Sequence, residues 1–201
     1  MKKIVAIVAV ASVILLTGCS QVGAAATVGS KKITQATVQS SIDSILAARV
    51  GVDTSQMQLQ TGEELNRGQL RFHLLTELLR AVASELKISV PKAEIDTRRQ
   101  SIIEQVGGIK SLPTALVGAG IARDDFDTYI EAISLSDKIS RAIVAGGVPE
   151  NEVGTEIQKL VVAKAKELGV TVNPRYGAWD AKVADVIASD SASPAVTPST
   201  K

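Results

Sequence analysis

The clearest helical pattern in the chain runs from Glu63 to Leu86 and constrains the fold most strongly. Its apolar residues recur every three or four positions, which places them along one face of an α-helix. These residues are Phe72, Leu75, Leu78, Leu79, Val82 and Leu86. Because that face has to be covered by other apolar side chains, the sequence predicts a body of packed helices around it.

A second helix is predicted between Thr34, a good capping residue, and Gly51, which ends the pattern. The apolar residues at helical spacing are Val38, Ile42, Ile45 and Leu46. The polar, aperiodic segment 53–62 that follows predicts a flexible loop with Met57 and Leu59 exposed.

Prolines and glycines divide the rest of the chain into further helices. Pro91 and Pro149 each lie where proline suits the first turn of a helix. A short helical segment covers about 112–117, and Asp124 and Asp125 belong to the first turn of the next helix, where their charge suits the helix dipole.

Two segments have an extended pattern. Residues 26–34 (ATVGSKKIT) alternate around a glycine turn like a hairpin, and residues 170–180 (VTVNPRYGAWD) follow the last helix. The sequence therefore predicts a mainly α fold: one domain of about five to six helices, closed by pairing between segments near 26–34 and 170–180.

The N-terminus has the organisation of a secretory leader: Lys2 and Lys3, an apolar run, then small residues before Cys19. The apolar run is shorter than the roughly 20 residues that cross a bilayer. The LTGC sequence resembles a bacterial lipobox, which implies removal of residues 1–18 and diacylglyceryl attachment to Cys19. The alternative is an ordinary secretory signal with a chance cysteine.

The lipobox resemblance predicts a protein anchored by lipid to the extracytoplasmic face of the cell membrane, since two or more acyl chains hold stably. Cys19 is the only cysteine, so an internal disulfide is impossible. We expect residues 19–25 to be a linker, 26–186 the domain, and 187–201, rich in Ser, Ala, Pro and Thr, a disordered tail.

Charge and composition exclude some ligand classes. The chain has 22 Lys and Arg and 21 Asp and Glu; removal of two lysines with the leader leaves 20 − 21 = −1. Nucleic acid is therefore not an expected partner, because it calls for a clustered basic surface. Aromatic residues make up 2% of the chain, which disfavours ligands recognised by ring stacking.

The search for catalytic chemistry predicts no enzyme, no metal site and no cofactor. His73 is the only histidine and lies in the middle of a helix without a second ligand at metal spacing, so a packing or surface role is expected. No GxSxG, HExxH or phosphate-binding glycine motif occurs. The adjacent acidic pairs 63–64 and 124–125 are interpreted as helix-start charges, and Arg98 with Arg99 as a solvated helix face.

Arg175, Tyr176 and Trp179 are concentrated near the end of a chain otherwise poor in aromatics. Two interpretations stay open. The rings can plug the end of the helical body, with Asn173 and Pro174 making the bend. They can also form a polypeptide-contacting edge, because Trp, Tyr and Arg are common anchors at interfaces.

The order of these features resembles the SurA amino-terminal chaperone domain, which is also found in PrsA-like lipoproteins and is related to trigger factor. The matching strings are ATVGSKKIT from Ala26, VPKAEI from Val90, GIARDDFDTYI from Gly120, VPENEV from Val148 and GVTVNPRYGAWD from Gly169, the last resembling actinobacterial members. The family usually opens with VNG, whereas Val28 here is followed by Gly29 and Ser30. Full-length relatives also carry histidine-containing parvulin domains, for which this chain has no room.

The resemblance implies a tethered, ATP-independent chaperone that holds unfolded or nascent exported proteins, without isomerase activity. The alternative is a structural lipoprotein in which the same module docks one folded envelope partner. No motif of the family marks individual client-binding residues, so the only site predicted by residue is lipidation of Cys19.

Overall fold

The computed structural model describes residues 22–189 of the chain. The predicted signal peptide 1–18, the predicted lipidation site Cys19 and the tail from residue 190 lie outside this range. The helices are α1 Gln35–Val50, α2 Gly62–Glu85, α3 Lys92–Gln105, α4 Leu112–Ala119, α5 Phe126–Ala145 and α6 Val153–Leu168. The strands are β1 Ala24–Val28, β2 Lys31–Thr34, β3 Val170–Val172, β4 Ala178–Asp180 and β5 Asp185–Ile187. The predicted mainly α domain is confirmed.

The two extended ends pair as expected. Strand β1 is the central strand of a three-stranded antiparallel sheet, with the hairpin partner β2 on one side and β3 on the other. The register brings Ala26 opposite Val172 and Val28 opposite Val170. Strands β4 and β5 form a separate antiparallel pair that the sequence did not predict.

The predicted linker 19–25 is too long at its C-terminal end. Ala24 and Ala25 belong to strand β1 and are 5% and 0% exposed. Strand β1 packs on α2, and alanine side chains are small enough to let the strand and the helix approach closely. A run of small residues therefore formed a buried strand here, where composition alone favoured a linker.

Helix α2 lies at the centre of the domain and packs against α1, α5, α6 and β1. Of the predicted stripe, Leu78 and Val82 are buried, whereas Leu86 is 42% exposed and follows the helix end. The core is centred on a neighbouring line of leucines one turn apart, Leu70, Leu74 and Leu78. A helix surrounded on several sides buries more than one face, which a single apolar stripe does not predict.

The segment between α1 and α2 is packed rather than free, so the prediction that Met57 and Leu59 are exposed is wrong: both are half-buried. The Met57 sulfur lies close to Gly118 of α4, 3.9 Å from the position that a Cβ would take there. Arg49 Nη2 also donates a hydrogen bond to the Gln60 carbonyl oxygen at 2.9 Å. These contacts join the loop to α1 and α4.

Helix α3 is the least buried helix of the described chain. None of its 14 residues is buried, and it packs chiefly against α5. Pro91 precedes its first residue, as the sequence predicted, and the turn at 106–108 ends it. Helix α3 thus lies on the outside of the domain, separated from the sheet by other helices.

Candidate functional site

An open groove runs between α3 and α5. Its volume is about 590 Å³, and its apolar lining is Ile102, Tyr129 and Ile133. Polar side chains complete its walls: Glu94, Thr97, Arg98, Ser101 and Gln105. Apolar side chains at the base and polar ones around them are the composition of a surface that binds an apolar group and leaves the rest of its ligand solvated.

A second cavity of about 280 Å³ continues from Tyr129 towards α2 and α4. Phe72 and Ile121 contribute apolar surface to it, and Gln69 donates a hydrogen bond to the Gly120 carbonyl oxygen at 3.0 Å in its wall. Tyr129 lines both cavities, and the two together make up one candidate surface. We call this surface the Tyr129 groove.

Ion pairs hold α3 on α5. Arg98 Nη1 lies 2.6 Å from Asp137 Oδ2, and Arg99 Nη2 lies 2.5 Å from Asp127 Oδ2. Lys138 Nζ of α5 makes a further ion pair with Glu94 Oε2 of α3, at 2.5 Å. The prediction that Arg98 and Arg99 form only a solvated face is therefore wrong, because both bridge two helices. These side chains are a quarter or more exposed, and exposed pairs contribute only about 0–1 kcal/mol each.

A buried polar cluster lies between α1, α2 and the start of α5. Ser41 Oγ is 2.9 Å from His73 Nε2 and 2.5 Å from Asp125 Oδ2. These residues come from α1, from α2 and from the turn before α5. A 240 Å³ cavity lies beside the cluster. Asp125 was predicted only to place negative charge at the start of a helix. The structure shows that it also connects the turn before α5 to α1 and α2.

The geometry of this cluster does not suit a serine hydrolase. A serine hydroxyl has one proton, and its shortest contact gives that proton to Asp125, so His73 donates Nε2–H to Ser41. In a catalytic triad the serine donates to histidine and the carboxylate binds the other ring nitrogen. Here the carboxylate is on the same side of the ring, 3.7 Å from Nε2, and Ser41 is only 4% exposed.

The cluster keeps the imidazole neutral. Burial lowers the pKa of His73 below its usual value, and the charge of Arg80 adds to this effect. The carboxylates of Asp125 and Glu77 act in the opposite direction on the pKa, but burial is the largest influence. A neutral histidine with an N–H donor suits the chain of hydrogen bonds through Ser41 to Asp125.

The aromatic segment near the C-terminus packs into the main core. Tyr176 is 7% exposed, Trp179 is half-buried against the same core, and Arg175 lies 6.0 Å from the Tyr176 ring centroid. Asn173 Oδ1 accepts a hydrogen bond from the Arg175 backbone N–H and so makes the expected bend. These contacts favour the interpretation that the rings plug the end of the helical body.

Sequence reasoning did not identify Ser41 or Tyr129 as parts of a site. Ser41 is a small residue at an ordinary helical position. Tyr129 follows an acidic helix start, and only the acidic residues of that segment were interpreted. Ile133, an apolar residue of α5, is half-buried in the groove. An apolar position with intermediate exposure has no sequence signal that separates it from the core.

Within residues 22–189, no group of three or more His, Cys, Asp or Glu side chains could hold a metal ion. No helix in that range is long and apolar enough to cross a bilayer. Comparison with protein-family models, curated proteins and solved structures gives no match to this chain. The resemblance to the SurA amino-terminal domain therefore stays a prediction.

Proposed function

We propose that this protein is a membrane-tethered, ATP-independent holdase that binds apolar segments of unfolded exported polypeptides in the Tyr129 groove. It acts by binding alone and does not isomerise prolyl bonds. Lipid on Cys19 tethers it to the extracytoplasmic face of the cell membrane. The observation that carries the proposal is the half-buried apolar lining of this groove on the outside of the domain.

The lining of the groove supports broad selectivity. Ile102, Ile133 and Tyr129 are half-buried, so each keeps apolar surface that a client side chain can cover. Covering such surface contributes about 25 cal/mol per Å², whatever the sequence that covers it. The polar walls leave room for the solvated backbone of an extended client. A surface of this kind binds many unfolded chains weakly.

The attachment of α3 supports adaptability. This helix has no buried residue and is held to α5 by partly exposed ion pairs and half-buried aliphatic contacts, among them Ile95 and Ile102. Elements with few buried apolar contacts open at low free-energy cost. Movement of α3 would widen the groove for bulky clients, and adaptable surfaces are typical of promiscuous binders.

The test is aggregation suppression and fluorescent-peptide binding by the chain from residue 20 to 201, which contains every described element. Several unfolded proteins are tested beside their folded forms. The double variant Ile102→Ser, Ile133→Ser should weaken peptide binding about 30-fold, since two half-buried aliphatic side chains contribute about 2 kcal/mol together.

The matched control is Leu46→Ser with Val50→Ser. These aliphatic side chains lie on α1 outside the groove and are more exposed than the groove isoleucines, 46% for Leu46 and 90% for Val50. This control should bind peptide like the wild type. Equal weakening in both doubles would remove the groove from the proposal. Binding of one folded envelope protein and of no unfolded client would favour the docking alternative instead.

A further inference from the structure

Both ends of the described chain leave the domain on one face. Gln35 donates its backbone N–H to the Gly23 carbonyl oxygen at 2.9 Å, and Gln35 Oε1 accepts from Arg175 Nη1 at 3.1 Å. Ser189 Oγ donates to the carbonyl oxygen of Pro174, the neighbour of Arg175, at 3.5 Å. Hydrogen bonds thus connect the surroundings of residue 22 to those of residue 189.

Two cations on this face bind only neutral oxygens. Lys32 Nζ donates to the Val22 carbonyl oxygen at 2.6 Å, and Arg175 donates to the Gln35 amide oxygen. Neither side chain has an ion pair within residues 22–189. The carboxylates that line the same cavity as Lys32 have other partners: Glu77 binds Arg80, and Asp125 binds Ser41. Many other cations of the domain, such as Arg98 and Arg99, are paired.

Exposed aliphatic side chains accompany these cations. Val22 is 78% exposed, and Ile187, two residues before Ser189, is 44% exposed. Strand β5 places Ile187 opposite Ala178, close to the turn that carries Arg175. Aliphatic and cationic side chains on one surface are the combination by which peripheral proteins bind anionic membranes.

We infer that the face formed by Val22, Lys32, Arg175 and Ile187 docks on the anionic phospholipid headgroups of the membrane that holds the protein. The inference rests on the lipid anchor of the proposed function. Two residues lie between Cys19 and Val22, and these three steps along the chain span at most about 10 Å when extended. A lipid on Cys19 therefore keeps this face within reach of the headgroups.

The experiment couples the mature chain, residues 19–201, through the single Cys19 thiol to maleimide-headgroup lipid in preformed vesicles. One set of vesicles contains phosphatidylglycerol with phosphatidylcholine, and the other contains phosphatidylcholine alone. Lysine acylation rates are then read residue by residue by mass spectrometry. Lys32 should label about fivefold more slowly on the anionic vesicles, because each headgroup-bound cation contributes a factor of about five.

Internal and matched controls isolate the docking face. Lys110, in the turn between α3 and α4, should label equally on both vesicles. Arg175→Gln should remove most of the Lys32 protection, whereas Arg141→Gln, the same charge change on α5, should leave it. About 1 M NaCl should also remove the protection, because it shortens the Debye length to about 3 Å.

Equal Lys32 labelling on the two vesicle types would overturn the inference, as would equal protection of Lys32 and Lys110. The coupling chemistry makes the tether independent of biological lipidation. Peptide binding by the uncoupled chain in solution needs no membrane. Failure of the docking face and failure of the holdase activity would therefore appear in two different measurements.

Discussion

Acidification tests the buried cluster of Ser41, His73 and Asp125 directly. His73 is the only histidine of the chain, so any imidazole effect on stability belongs to this one residue. In the folded protein, burial lowers the pKa of His73, and its Nε2 donates to Ser41. We expect the protein to lose stability as the pH falls below about 6.5, the ordinary pKa of histidine.

The sign follows from proton binding. Between the lowered folded pKa and about 6.5, the unfolded chain binds a proton at His73 that the folded protein does not. The free energy of unfolding therefore falls as the pH falls through this interval. One proton sets the steepest slope at about 1.4 kcal/mol per pH unit. Above about pH 7 the histidine is neutral in both states and contributes no slope.

Urea unfolding between about pH 5 and 8 measures this slope. The variant His73→Gln keeps an N–H donor for Ser41 but does not titrate, so its slope over the same interval should be smaller by the histidine contribution. Carboxylates titrate mainly below this interval and are common to both proteins. NMR titration of the His73 ring, the one imidazole of the chain, gives its pKa in the folded protein independently.

Two results would refute the reasoning about His73. An imidazole that titrates at or above 6.5 in the folded protein would show that burial is not the dominant influence on its pKa. An unchanged slope in His73→Gln would show that another group binds the proton. If His73→Gln keeps the slope of the wild type although the wild-type imidazole pKa is lowered, a further group must have a pKa that differs between the folded and unfolded states.

Three further predictions concern local structure. Gly177→Ala should destabilise the fold by about 3 kcal/mol or more in urea unfolding, because Gly177 has φ +132° and a Cβ there would overlap the Ile187 carbonyl oxygen. The control Gly154→Ala, where the added Cβ would lie in open space, should not destabilise the fold. Thr34→Ala should cost about 1 kcal/mol in the same assay, because its hydroxyl accepts the Thr37 N–H at 3.0 Å. Hydrogen exchange should be faster in α3 than in α5; equal protection would contradict the loose attachment of α3.

Local sequence signals predicted most of the helix boundaries. Thr34 and Gly51 flank α1, as expected of a capping residue and a glycine stop. Gly169 follows the last residue of α6 with φ +74°, a conformation that glycine adopts without strain. In each case the residue that determines the helix boundary lies within one turn of that boundary, so the local sequence is enough to predict the boundary.

Features set by distant residues were not predictable in the same way. Ser41 and Asp125 are 84 residues apart, and nothing in the sequence near either residue indicates that they are hydrogen-bonded to each other. Met57 is half-buried beside Gly118 of α4, a helix far from it in the sequence. The ion pairs of Arg98 and Arg99 depend on which helix packs beside α3. Such contacts follow from the tertiary arrangement, which no single window of sequence contains.

The two walls of the Tyr129 groove differ in how firmly they are held. Asp125 joins the start of α5 to α1 and α2, and Arg80 Nη2 and Nε contact both carboxylate oxygens of Glu131 on α5, at 2.5 and 3.0 Å. Tyr129 lies between these two attachments, so the α5 wall is fixed to the core. Helix α3 has no comparable buried attachment. In the proposed holdase, a fixed wall that presents the same apolar side chains, opposed by a wall that can move, would let one site accept clients of different size.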